Sequence, residues 1–219
     1  MCIRKYYIIA MYLTTCALTL SAQNKLDVGL HVGASYYYGE FNENMPLYKP
    51  SLAFGAIFRH NMTEYYALRG SLTIGRLNGQ CPANMLLPKA PGGAFSKALL
   101  SAELMLEFNF FPLNPASLKP RRALSPYINV GAGVALVQTK VVPSVPFGGG
   151  LKFSPGNRHT FALEWLFHKT FTDTAIDGYE PPGEGGHALL HNNDWFSTIS
   201  LIYTYRLPGG NNSVCPVYQ

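Results

Sequence analysis

Residues 159–171 read His-Thr-Phe-Ala-Leu-Glu-Trp-Leu-Phe-His-Lys-Thr-Phe, and residues 194–207 read Asp-Trp-Phe-Ser-Thr-Ile-Ser-Leu-Ile-Tyr-Thr-Tyr-Arg-Leu. In the first, Phe161, Leu163, Trp165 and Phe167 fall on one face of an extended strand, and Thr160, Glu164, His168 and Thr170 on the other. In the second, Trp195, Ile199, Leu201, Tyr203 and Tyr205 oppose Thr198, Ser200, Thr204 and Arg206. A period of two over about 9–11 residues or more suits a strand with one face in lipid and the other in a lumen.

Six further segments carry the same alternation, separated by turn-rich stretches. The eight are expected near 26–38, 50–60, 63–77, 97–111, 125–138, 145–154, 159–171 and 194–207. In the fourth, Leu100, Leu104, Leu106, Phe108 and Phe110 oppose Ser101, Glu103, Glu107 and Asn109. The third sets Tyr66, Leu68, Leu72 and Ile74 against Tyr65, Arg69, Ser71 and Thr73. The first sets Val28, Leu30, Val32, Tyr36 and Tyr38 against Asp27, Gly29, His31, Gly33 and Ser35. The sixth, around Gly148-Gly149-Gly150, is the weakest; its glycines lack the strand-to-helix context of a phosphate loop and are read as relieving crowding inside a barrel.

A soluble β-sandwich also alternates. Here, however, aromatics lie near both ends of the apolar face, as an interfacial girdle requires. The polar face carries charges in mid-strand, where a sandwich needs a second apolar surface. The fold expected is therefore all-β: an eight-stranded antiparallel transmembrane β-barrel of OmpA/OmpX size with a plugged lumen.

Composition agrees. Of 219 residues only 13% are charged, while 47% are hydrophobic and 13% aromatic, and 17 Lys and Arg against 12 Asp and Glu give +5. About 25% charged residues is usual for a soluble domain. Residues 1–22 read as a secretory signal peptide: Arg4 and Lys5, an apolar run to Leu20, then Ser21-Ala22 before Gln23. A lipoprotein cleavage at Cys16 fits poorly, because Thr14-Thr15 precede it. Without Arg4 and Lys5 the remaining 15 bases against 12 acids leave +3, so no nucleic-acid partner is expected. Beyond Gln23 no window holds 18 consecutive apolar residues, so a closed barrel is the remaining way to span a bilayer. The organisation expected is a signal peptide at 1–22, an outer-membrane barrel at 23–207 and a periplasmic tail at 208–219.

With the N-terminus in the periplasm, an even strand count returns the C-terminus there. The long connections 78–96 and 172–193 then face outward, and the turns 61–62 and 155–158 face the periplasm. The periplasmic connection 112–124 is unusually long and carries Lys119, Arg121 and Arg122, which makes it a candidate contact surface.

The inward faces collect Asp27, Glu103, Glu107 and Glu164 against Arg59, Arg69, Lys152 and Arg206. Paired carboxylates such as Glu103 and Glu107 could serve acid–base chemistry. An eight-stranded barrel, though, is just wide enough for side chains to fill it, and buried charges there must be paired. The eight are read as a structural ion-pair network that closes the lumen to diffusion. His31 and His168 are read as hydrogen-bonded fillers, since no spacing resembles a zinc site. His187 and His191 lie near Asp173, Asp177, Glu180 and Glu184, a stretch read as a solvated acidic loop ahead of a weak cation site. Neither a cofactor nor catalysis is expected.

Cys2 and Cys16 leave with the signal peptide. Cys81 in an outer loop and Cys215 in the periplasmic tail would stand on opposite sides of a band about 25 Å tall. A disulfide needs Cα atoms within about 7 Å, so the two cannot pair. An unpaired Cys215 at the end of a flexible tail points to an intermolecular disulfide or a reactive thiol, with an idle thiol as the alternative.

The segments Asp27-Val28-Gly29 through Ser35-Tyr36-Tyr37-Tyr38-Gly39, Glu107-Phe108-Asn109-Phe110, Ser125-Pro126-Tyr127 and Pro146-Phe147-Gly148 lead on to Lys169-Thr170-Phe171-Thr172-Asp173. Asn193-Asp194-Trp195-Phe196, Thr204-Tyr205-Arg206 and Cys215-Pro216-Val217-Tyr218 complete the series. Together they resemble PorG-like proteins, small outer-membrane barrels of the type IX secretion system of Bacteroidota. The connection between strands five and six is shorter than in that family, and the run after Asp173 is altered. The resemblance implies a non-enzymatic barrel that anchors a periplasmic ring of a PorK-like lipoprotein and a PorN-like protein to the outer membrane. The contact surface expected is Lys119, Arg121, Arg122, Cys215, Pro216 and Tyr218. The rival readings are a lipid-modifying enzyme, with His191 and Ser197 as the nearest imidazole and hydroxyl, and a surface adhesin of OmpX type.

Overall fold

The computed structural model describes residues 26–38, 49–80, 94–112, 124–155, 158–171 and 195–207. These form eight strands and no helix: β1 (Leu26–Tyr38), β2 (Ser51–Asn61), β3 (Tyr66–Gln80), β4 (Ala94–Asn109), β5 (Leu124–Val137), β6 (Lys140–Phe153), β7 (His159–Thr170) and β8 (Trp195–Arg206). Each pairs antiparallel with its neighbour in sequence, and β1 pairs with β8 from Asp27↔Arg206 to Tyr38↔Trp195, closing the barrel without a free edge. The chain enters β1 and leaves β8 at one end, here called the terminal end. The four connections after the odd-numbered strands lie at the other, the loop end.

Several boundaries differ from the alternation reading: β3 and β4 run on to Gln80 and back to Ala94, so both ends of the stretch 78–96 expected as a connection are paired strand. β6 begins at Lys140 rather than near 145, because Gln138-Thr139 make a two-residue hairpin with Val137 paired to Lys140. Gln138 takes φ 58°, the left-handed conformation such tight turns use. Within the extension Pro143 stays paired with Val134, while the β5–β6 ladder lapses between Val130↔Phe147 and Gly133↔Ser144, opposite Pro146, which has no N–H to give. β3 begins at Tyr66 rather than 63, since the Thr63 hydroxyl accepts from the Tyr65 and Tyr66 amides at 3.2 and 2.9 Å and makes a local turn. Tyr65 is therefore exposed in that turn and not on the inward face.

The apolar side chains of the alternating faces point outward. Leu30 is 67% exposed, and Leu52, Leu72, Leu104, Val130, Val134, Leu151, Leu163 and Leu201 are also exposed, so the belt passes round all eight strands. Soluble monomers rarely expose apolar patches beyond a few hundred Å². A continuous belt is the surface of a protein whose solvent there is hydrocarbon. Aromatic clusters border it. Tyr66, Phe108 and Phe110 pack together at the terminal end, as do His159, Phe161, Tyr203 and Tyr205. Toward the loop end Phe147 stacks on Phe167 and meets Trp195 edge-on.

Inward glycines let the wall bend. A Cβ on Gly55 would overlap the Leu72 carbonyl and the His31 ring, and one on Gly148 would overlap the Trp165 carbonyl. These residues lie on β2 and β6, four strands apart. Gly148→Ala is expected to cost about 1–3 kcal/mol, because the clash is with backbone that cannot swing away. The control is Gly70→Ala, where the nearest atoms stand 3.9 and 4.0 Å from the added carbon and the change stays within about 0.5 kcal/mol. Urea unfolding in phospholipid vesicles distinguishes them; equal midpoints would refute the steric account.

Candidate functional site

The interior divides into two parts along the barrel axis. At the loop end Tyr37, Leu77, Leu99, Ala135, Val137 and Phe196 form a buried apolar cluster, with Phe95 packed against it. Tyr37 and Phe95 meet edge-to-face at 5.2 Å. This cap fills the lumen with hydrocarbon side chains.

Nearer the terminal end lie the buried charges, interleaved with a second apolar cluster of Ile57, Tyr127, Ala162 and Ile202. Arg206 at the terminal rim, its side chain 22% exposed, points Nε at Asp27 Oδ1 across the closing seam at 2.9 Å. Asp27 Oδ2 lies 3.6 Å from Arg59 Nη1. Arg59 Nε reaches Glu107 Oε1 at 3.2 Å, a contact without hydrogen-bond alignment. Glu107 also receives Lys152 Nζ, which donates to Asn109 Oδ1 at 2.6 Å and sits 4.2 Å from the Tyr127 ring centre. Glu107 Oε2 is 3.6 Å from Arg69 Nη1. Three cations thus surround the single Glu107 carboxylate.

Arg69 continues the chain across the barrel. Its Nη1 and Nη2 donate to Glu164 Oε2 and Oε1 at 2.6 and 2.9 Å, a bidentate pair between β3 and β7. Strands four positions apart in a ring of eight are as far apart as the wall permits, so this pair spans the lumen. Tyr127 OH and Asn129 Nδ2 both donate to Glu164 Oε2 at 2.7 Å. Seven of the eight charges singled out in the sequence, Asp27, Arg59, Arg69, Glu107, Lys152, Glu164 and Arg206, therefore form one connected network.

Glu103 stands apart from it and pairs with His168, Nε2 to Oε1, at 2.9 Å. Ser71 Oγ donates to the other Glu103 oxygen at 3.0 Å, and the His168 ring stacks on Phe196 at 4.2 Å. The sequence reading missed this pair. His31 approaches Thr73 Oγ1 at 3.3 Å. A cavity of about 10 Å³ between His31, Arg69, Ser71, Glu103, Glu164 and His168 is room for one water molecule at most.

Chemically this interior is a strut. Each buried carboxylate described above is held by cations or hydroxyl and amide donors. Among the described residues no group of three His, Cys, Asp or Glu is placed to hold a metal ion. Ser197 is 6% exposed, on the lipid-facing rank of β8 in register with Tyr36 and Phe167. Lys119, Arg121, Arg122, Cys215, Pro216 and Tyr218 lie outside the described residues, as do Cys81, His187 and His191.

A closed eight-stranded antiparallel wall, an apolar outer belt with aromatic borders and a plugged lumen define a small barrel of the outer-membrane type. The chain belongs to the family described as a domain of unknown function, DUF6089, whose model matches residues 4–217. No curated protein matches it. Among solved structures it is similar to neisserial surface protein A, with TM-score 0.50 and 10% identity, over 83% of this chain and 97% of that one. It is also similar to Ail, the attachment invasion locus protein of Yersinia pestis, solved with a heparin analogue (TM-score 0.45, 13% identity, 84% and 99% covered). A third is the outer-membrane enzyme PagL (TM-score 0.38, 16% identity, 83% and 99% covered). At such identities the likeness is one of fold.

Proposed function

We propose that this protein is a non-enzymatic outer-membrane anchor, whose periplasmic rim holds a ring of PorK-like and PorN-like proteins in a type IX secretion apparatus. The observation that carries the reading is the closed interior. The Arg69–Glu164 pair crosses the lumen and an apolar cap fills its loop end, which favours a role outside the lumen. A barrel so closed works through its rims or its lipid face. The family resemblance points to the rim that bears both termini, taken here as periplasmic. On this reading Lys119, Arg121 and Arg122 meet acidic groups of the ring, while Cys215, Pro216 and Tyr218 dock or crosslink.

A tagged barrel, recovered from detergent-solubilised outer membrane with and without reductant, tests this. The expected result is co-recovery of a ring lipoprotein, part of it as a reductant-sensitive adduct lost in Cys215→Ser. Replacing Arg121 and Arg122 together is expected to lower the ring retained in the membrane fraction. Recovery of a folded barrel alone would overturn the anchor reading.

A further inference from the structure

On the lipid-facing side of β7 and β8, at the terminal end, four polar groups converge. Arg158 immediately precedes β7 and His159 begins it, and both are exposed. The backbone carrying them is tied down: Ser154 Oγ donates to the His159 carbonyl at 3.1 Å, and the Arg206 amide donates to the Arg158 carbonyl at 2.8 Å. The His159 ring packs on Tyr203, 6.0 Å between centres and 26° between planes, and on Tyr205 at 5.3 Å. His159 Nδ1 and the Tyr203 hydroxyl share a hydrogen bond of 2.8 Å, and Arg158 Nη1 donates to the Tyr205 hydroxyl at 3.3 Å. A guanidinium, an imidazole and two phenols are thus held in one place by each other.

Their surroundings differ sharply in the two directions along the strands. Toward the barrel's middle the surface is hydrocarbon: Phe161, 46% exposed and packed on Tyr203 at 5.3 Å, then Phe153, Leu163 and Leu201. Toward the rim the chain turns. Among the described residues no carboxylate pairs with Arg158, whereas the lumen arginines all have acidic partners. The cation's charge is therefore available to an anion that arrives from the membrane side. Near the loop end, by contrast, Lys169 stands over the Trp195 ring at 5.1 Å.

We propose that Arg158, His159, Tyr203 and Tyr205 bind the phosphate of a phospholipid head group, whose acyl chains lie along Phe153, Phe161 and Leu163. A planar guanidinium offers five N–H donors in a fork that matches phosphate oxygens, and the bond to Tyr205 uses one of them. With Nδ1 engaged by Tyr203, the His159 ring presents Nε2 to the same anion. The tyrosines orient both groups, so little side-chain freedom is lost when the lipid arrives. The site depends on neither the orientation of the barrel nor its partner in the periplasm.

The full-length barrel, folded in phosphatidylcholine bicelles containing phosphatidylglycerol and released into mild detergent, can be weighed by native mass spectrometry. One retained phosphatidylglycerol per barrel is expected for the unaltered chain. Arg158→Gln with His159→Gln is expected to lower the retained fraction by about tenfold or more, as loss of charge-assisted hydrogen bonds implies. Tyr205→Phe keeps the ring stack and removes the hydroxyl that steers Arg158, so retention falls to an intermediate level; it decides the matter should the double variant not fold. Heat-modifiable migration reports folding in each case. Equal retention by folded variants, or none by the unaltered barrel, would overturn the site.

Discussion

Arg69→Met is expected to destabilise the barrel by about 3–5 kcal/mol, the cost of leaving a buried charge without its partner. Arg69 is wholly buried and makes the bidentate contact to Glu164 that ties β3 to β7. The loss falls unequally on its two acids. Glu107 keeps Arg59 and Lys152, and so retains compensation. Glu164 keeps only the neutral donors Tyr127 and Asn129, which satisfy its lone pairs without balancing its charge. Adding Glu164→Gln to Arg69→Met is therefore expected to recover most of the stability, because a neutral amide no longer needs a cation. Both tryptophans, Trp165 and Trp195, lie on the lipid-facing side of β7 and β8, so their fluorescence follows urea unfolding from vesicles. A double variant no more stable than the single one would show that the strut is not electrostatic.

Much of this architecture was legible because a period of two needs no knowledge of partners. The inward rank of Glu164 and the outward rank of Trp165 follow from neighbours within one strand. The apolar cap was not legible for the same reason. Leu99 stands beside Leu100, Val137 beside Leu136 and Phe196 beside Trp195, so each pair reads as apolar on both faces and parity alone leaves the cap unseen. The inward charges could be gathered from their strands, but which acid meets which base depends on approach across the lumen. Arg69 lies 95 residues from Glu164, and nothing local to either marks the other. His168 and Glu103 were each read as inward and polar; their meeting rests on the same cross-lumen geometry. The extension of β6 back to Lys140 was obscured by Pro143, a residue type that argues against a strand, although here it pairs with Val134 in the ladder.

Leu201→Arg is expected to cost about 2–4 kcal/mol, and Tyr38→Arg no more than about 1 kcal/mol, because the penalty for a lipid-facing charge depends on its depth in the bilayer. Leu201 is 62% exposed, yet it sits mid-strand, in register with the lipid-facing Val32 on one side and Leu163 on the other. Tyr38 lies at the loop-end rim of the same face, paired with Trp195, where a long cationic side chain reaches head groups and water. In a water-soluble sheet the order reverses: an arginine in place of an exposed leucine is neutral or improves solubility, and surface changes stay within about 0.5 kcal/mol. The difference between the two variants, measured by urea unfolding in the same vesicles, thus reads the solvent of the outer belt directly. A cost at Leu201 no greater than at Tyr38 would mean that the belt does not lie in hydrocarbon. The depth dependence also separates lipid contact from a protein partner covering β8, since a partner would penalise charge according to its own outline and not in proportion to distance from the rim.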